Sequence, residues 1–164
     1  MFDDAIHAKA RAVLDACRAA GLMMATAESC TGGLVVGALT EIPGSSDVVE
    51  RGFVTYSDES KSEMLGVPPA LIERHGAVSE AVAKAMAEGA LAHSRAQVGL
   101  AVTGVAGPGA SAAKPAGLVH LAAAQHGKGV IHEKHEFGDI GRAAGRHATV
   151  AAALDLILKR LEQD

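Results

Sequence analysis

Aromatic rings are almost missing from this chain. Its 164 residues include three Phe, one Tyr and no Trp, 2% of the total. Alanine and glycine fill the space instead: 34 Ala and 19 Gly make up about a third of the sequence. A core of such residues must take its contacts from close approach of backbones and from aliphatic side chains, because large rings are not available to fill wide gaps. The apolar fraction is still 49% against 21% charged, which excludes a mostly disordered chain. Domains usually run to ~100–200 residues, so a single domain over 1–164 is expected. The scarcity of rings also argues against a base-stacking surface for single-stranded nucleic acid.

Net charge is −4, so no broad basic patch for duplex DNA or an anionic membrane is expected. A small anionic ligand needs only one or two well-placed cations and stays open. Two cysteines, Cys17 and Cys30, are too few for a disulfide framework and fit a reducing compartment. The start, Met1-Phe2-Asp3-Asp4, lacks the apolar segment of a signal peptide, and no apolar run approaches ~18 residues. A soluble cytoplasmic protein is expected, without nucleic acid or membrane as partner.

Periodicity divides the chain into alternating helices and strands. Asp3 or Asp4 can cap a first helix whose Ile6, Ala10, Val13, Leu14 and Cys17 share one face, with Gly21 suited to its C′ position. Strands are predicted over 22–26, 48–56 and 98–103. Helices are predicted over 34–40, from a Ser57 cap to Gly66, from Pro68 or Pro69 to Gly76, and from a Ser79 cap to about residue 95. Residues 118–124 and 130–137, joined by Gly127-Lys128-Gly129, read as a hairpin. Val150, Leu154, Ile157, Leu158 and Leu161 mark a final helix. This order predicts an α/β fold, a three-layer α/β/α domain with a mixed sheet.

Four stretches can carry chemistry. In Ala27-Glu28-Ser29-Cys30-Thr31-Gly32-Gly33 a strand leads in and a helix leads out, so free N–H groups there can hold an anion or an oxyanion. Ser29 and Cys30 are both possible nucleophiles; a helix N-terminus lowers a thiol pKa, which favours Cys30 on simple chemistry, whereas Ser29 needs a base. A plain helix cap beside a buried Cys accounts for the same residues. In Tyr56-Ser57-Asp58-Glu59-Ser60-Lys61 the lysine is either solvated or, if desolvated, a neutral base; Asp58 and Glu59 work against the latter. Thr103-Gly104-Val105-Ala106-Gly107-Pro108-Gly109 follows a strand and is either a simple turn or a loop presenting N–H groups to a small anion. Its spacing is not that of a dinucleotide fingerprint. Arg142 and Arg146, four apart, share a helix face on which a phosphate would offset their charge at a helix start; a solvated charged face is the alternative. His132-Glu133-Lys134-His135 is not His-Glu-x-x-His, and His120 and His126 lack partners at ligand spacing, so no metal is expected.

Taken together, these stretches resemble one family. Ala27-Glu28-Ser29-Cys30-Thr31-Gly32-Gly33, Pro43-Gly44-Ser45-Ser46, Tyr56-Ser57-x-Glu59-x-Lys61-x3-Leu65-Gly66-Val67, His75-Gly76-Ala77-Val78-Ser79 and Thr103-Gly104-x-Ala106-Gly107-Pro108 are similar, in this order, to the CinA C-terminal domain family. That family includes the nicotinamide mononucleotide deamidases, and the resemblance runs from about residue 5 to 161. It implies an amidohydrolase without a cofactor that turns nicotinamide mononucleotide into nicotinate mononucleotide and ammonia in pyridine-nucleotide salvage. It implies Ser29 as nucleophile and Lys61 as its base. The oxyanion would then meet the turn of Cys30, Thr31, Gly32 and Gly33. The phosphate would meet the loop of Thr103, Gly104 and Gly107, or Arg142 and Arg146. Tyr56 is the candidate ring contact, with Phe53 a more distant option. Many members carry Gly-Asp before the first of these arginines; here Ile140-Gly141 stand there, with Asp139 close by. Longer members carry a further N-terminal domain, so a stand-alone form is expected. Small-residue surfaces and site loops from distant segments point to a homo-oligomer. Two rival expectations are a non-catalytic nucleotide-binding module linked to competence or DNA damage, and a Cys30-dependent hydrolase.

Overall fold

The computed structural model describes residues 1–163. The chain order is α1 (Asp4–Ala20), β1 (Met24–Glu28), α2 (Leu34–Thr40), β2 (Val49–Val54), α3 (Asp58–Leu65), α4 (Pro69–His75), α5 (Glu80–Ala92), β3 (Val98–Gly104), β4 (Leu118–Gln125), β5 (Gly129–Glu136) and α6 (Arg142–Glu162), with a 3-10 turn at Ser45–Asp47. The strands form one mixed sheet in the order β2-β1-β3-β4-β5. β1 lies between β2 and β3 and is parallel to both, while β3, β4 and β5 run antiparallel in turn.

Local chemistry places the helices. Asp3 caps α1 by accepting from the Ile6 N–H, and Gly21 closes it at φ 67°. Ser57 caps α3, Ser79 caps α5, and Pro69 opens α4. Side chains of α1, α2 and α6 pack against Met24, Leu100, Val102 and Leu121 on one face of the sheet. Those of α3, α4 and α5 pack on the other face, against Ala25, Ala27, Ala101, Ala122 and Ala124. The result is the expected three layers, and the alanine-rich composition is concentrated in the second interface.

Three elements differ from the sequence reading by two or more residues. The first strand starts two residues later than 22–26, so Glu28 belongs to β1 and not to the turn. All five residues of β1 are buried, and in such a run apolarity cannot set the register; the partners do, with Met24 opposite Val98. β2 stops at Val54, two residues before Tyr56, and α5 stops at Ala92 rather than near 95.

Candidate functional site

The topology fixes where a site can form. The connection leaving β1 passes through α2 on one face, and the connection leaving β2 passes through α3, α4 and α5 on the other. The sheet therefore has a switch point between β1 and β3, and a crevice opens outside their carboxyl ends. A cavity of about 330 Å³ lies there. Its wall brings together Ser29 and Cys30 after β1, Tyr56 after β2, Lys61 from α3 and Arg142 from α6. Thr103, Gly104 and Gly107 add the loop after β3.

Lys61 and Ser29 meet at the base of this cavity. The Lys61 Nζ lies 3.0 Å from Ser29 Oγ, 2.7 Å from the Thr55 carbonyl and 3.5 Å from the Tyr56 carbonyl. Lys61 is 1% exposed and makes no ion pair among the described residues. Burial pushes its pKa below the usual lysine value, while Asp58 and Cys30 pull it back up. A neutral amine has two N–H donors and one lone pair; two carbonyls and the Ser29 hydroxyl match that inventory.

Cys30 does not behave as its place before a helix predicts. Burial pushes its thiol up to about 11, and neither Arg146 nor Lys61 offsets this. The lowered thiol pKa expected from a helix N-terminus is therefore corrected: burial dominates and raises it.

The turn that carries Ser29 is held from two sides. Glu28, fully buried, accepts from the Thr31 hydroxyl and from the N–H groups of Gly33, Val35 and Val36. The Gly32 N–H is engaged by the Ser29 carbonyl. Arg146 donates to the carbonyls of Cys30 and Thr31. Among the described residues, the Cys30 and Thr31 N–H groups donate to no other residue. Thus Gly32 and Gly33 do not offer free N–H groups to a ligand; both have φ above zero and shape the turn. Thr31, Gly32, Gly33 and Arg146 lie behind the cavity wall rather than on it.

The two arginines separate in role. Arg142 donates to the Gly107 carbonyl at 2.8 Å and to the Tyr56 hydroxyl at 3.0 Å, spanning the mouth of the cavity. Asp139 accepts from the Gly109 N–H and so supports the glycine loop. The Thr103 hydroxyl is engaged by the Ala77 carbonyl. Phe53 packs against the α5 side of the sheet and is not part of the wall.

Sequence reasoning missed the inward role of Glu28, the Ala77 and Val78 wall, and the histidine pair. His120 and His132 stack across β4 and β5 with nitrogens 2.9 Å apart, and burial pushes His120 down to about 4. For Glu28 a signal existed: a carboxylate closing a strand just before a Ser-Cys-Thr-Gly-Gly turn. Among the described residues no group of three or more His, Cys, Asp or Glu could hold a metal ion, and no helix is long and apolar enough to cross a membrane.

Comparison with known proteins matches the family described as "CinA C-terminal domain" over residues 6–161. A putative competence-damage inducible protein of Caldicellulosiruptor bescii is 44% identical over 141 residues, 85% of this chain and 34% of that protein. A CinA-like protein of Syntrophobacter fumaroxidans is 47% identical over 148 residues, 90% of this chain and 34% of that protein. The chain thus spans about a third of the length of these curated relatives. Among solved structures, the competence/damage inducible protein CihA from Agrobacterium tumefaciens is 51% identical with a TM-score of 0.95, covering 99% of both chains. A CinA-superfamily protein from Klebsiella pneumoniae is 32% identical with a TM-score of 0.91, covering 95% of this chain and 97% of that one.

Proposed function

This chain belongs to the CinA C-terminal domain family, and from that footing we propose that it is a serine amidohydrolase that hydrolyses the carboxamide of nicotinamide mononucleotide. The observation that carries the reading is a buried lysine without a carboxylate partner, 3.0 Å from a serine hydroxyl at the sheet's switch point. Burying a charged lysine without an opposite charge is costly, whereas a base needs the neutral amine that burial favours.

The chemistry runs as follows. The neutral Lys61 amine takes the Ser29 proton as Oγ attacks the carboxamide carbon. The cationic pyridinium ring withdraws electrons from that carbon. The free N–H group of Cys30, the turn residue after Ser29 that lies on the cavity wall, is the available donor for the oxyanion. The C–N bond breaks, Lys61 returns its proton to the leaving nitrogen, and ammonia departs. Water then attacks the Ser29 ester, giving up a proton to Lys61; Lys61 passes that proton to Ser29 Oγ as the ester C–O bond breaks, and the acid product ionises to nicotinate mononucleotide and leaves. Arg142, at the mouth, suits the phosphate, with Tyr56 beside it for the ring.

The test is ammonia release from nicotinamide mononucleotide, its riboside and free nicotinamide. Ser29→Ala should abolish turnover and Cys30→Ala should retain it, in line with a thiol held at about 11. The opposite pattern assigns the chemistry to Cys30. Binding without ammonia from the unaltered protein identifies a nucleotide-binding module instead.

A further inference from the structure

Asp58 is the acidic side chain on the cavity wall, and it opens α3 one turn ahead of Lys61. It is exposed, makes no ion pair among the described residues, and shares the wall with Ser29, Lys61 and Tyr56. A carboxylate beside a catalytic lysine is unfavourable for base chemistry in isolation, since it stabilises the ammonium. At the start of α3 a carboxylate suits the helix dipole, and a cationic ligand in the cavity would give it a second partner. Building on the deamidase reading, we propose that Asp58 is a specificity-determining residue that selects a cationic ring over a neutral one at the Ser29–Lys61 dyad, and that the bound ring's charge cancels the field of Asp58 and drives Lys61 to its neutral form.

The groups facing Lys61 come from α3, the turn after β1 and the end of β2. From α3 itself the charge is Asp58. From the turn after β1 come Ser29 and Cys30, the latter a protonated thiol. From the end of β2 come two carbonyls, of Thr55 and Tyr56. Across the cavity, the guanidinium of Arg142 is occupied by the Gly107 carbonyl and the Tyr56 hydroxyl. Asp58 is therefore the wall's free negative charge near the amine. A pyridinium brought up to Ser29 approaches both: it is attracted by Asp58 and repels the ammonium form of Lys61. A neutral ring does neither. The base is thus released when a cationic substrate arrives.

The experiment compares two mononucleotides that share a phosphate and ribose: nicotinamide mononucleotide, with a cationic ring, and its reduced dihydropyridine form, with a neutral ring. Dissociation constants are measured by calorimetry on Ser29→Ala, with and without Asp58→Asn. Asp58→Asn should weaken the cationic nucleotide about five-fold, the scale of a partly solvated charge pair, and change the neutral one less than two-fold. In the Ser29-containing protein, Asp58→Asn should move the acidic limb of kcat/KM to lower pH, because it removes the group that holds the proton on Lys61. Glu63→Gln, on the neighbouring acidic groove, should change neither constant. Equal weakening of both nucleotides, an unmoved acidic limb, or the same effect from Glu63→Gln overturns the proposal. Ammonia release by the unaltered protein is scored separately: its absence sinks the deamidase reading, while its presence with equal effects on both nucleotides sinks only the role of Asp58.

Discussion

Lys61 is among the largest fully buried side chains of the molecule, and its amine faces two carbonyls and a hydroxyl. Burial lowers its pKa from the usual 10.5. The unfolded chain therefore binds more protons than the folded one between the lowered value and 10.5, so the contribution of Lys61 to stability rises with pH across that window. Lys61→Met removes the titration but also leaves the Thr55 carbonyl without its 2.7 Å donor, an offset that does not vary with pH. Urea unfolding of both proteins from pH 7 to 10 separates the two effects. The midpoint of the unaltered protein should climb relative to Lys61→Met as pH rises; a constant gap would show that Lys61 keeps its proton when folded. At the same scale, Ser29 and Cys30 looked interchangeable in the sequence, and a helix N-terminus even favoured the thiol. Burial outweighs that field, because Cys30 lies 7% exposed and the desolvation of a thiolate is the largest influence on it.

The element that makes the site is the β1–turn–α2 unit. α2 has only seven residues, and its N-cap is Gly33 at φ 100° with no side-chain cap. Glu28 supplies that cap from inside the strand, taking the Gly33, Val35 and Val36 N–H groups, while Arg146 holds the carbonyls of Cys30 and Thr31. Glu28→Gln would turn an amide NH₂ toward some of these donors, and a buried charged acceptor is worth about 1.5–3 kcal/mol. A loss of about 2 kcal/mol in urea unfolding is expected, with kcat falling more than KM because the turn, not the ligand contact, is loosened. Arg146→Ala should follow the same pattern without touching KM, whereas Arg142→Ala should raise KM. If Arg146→Ala raises KM and spares kcat, it binds the phosphate directly. The sequence carried much of this unit but not its wiring. Caps at Asp3, Ser57 and Ser79 were legible because a cap acts on N–H groups two or three residues ahead. The reach of Glu28 to residues five to eight ahead, and of Arg146 across 115 positions, leaves no periodic trace. Both arginines lay on one predicted helix face, and only the packing of α6 against the turn separates their roles.

At the scale of the whole molecule, the shortage of rings becomes a statement about one interface. The face of the sheet under α5 is Ala25, Ala27, Gly99, Ala101, Ala122 and Ala124, and α5 answers with Ala83, Ala87 and Ala90. Facing small residues let the helix backbone come close to the strands, which is how a chain with so few rings fills its core. That closeness can be read at single glycines. A Cβ placed on Gly99 would come within 2.6 Å of the Ala87 carbonyl and 3.2 Å of Leu91. Because the obstacle at 87 is backbone, Gly99→Ala must push α5 away from the sheet. Overpacking of this kind costs about 1–3 kcal/mol. Gly37, in the interior of α2, meets nothing within 4 Å and has no unusual φ. There, replacing glycine by alanine should stabilise by about 0.5–1 kcal/mol, through the lower freedom of the unfolded chain and better helix propensity. For a domain of this size about 1 kcal/mol corresponds to ~2–4 °C in Tm. Thermal melts of the two variants should therefore move in opposite directions, Gly99→Ala down and Gly37→Ala up. If Gly99→Ala melts no lower than the unaltered protein, α5 is not in tight contact with β3. The glycines would then serve some need other than close packing.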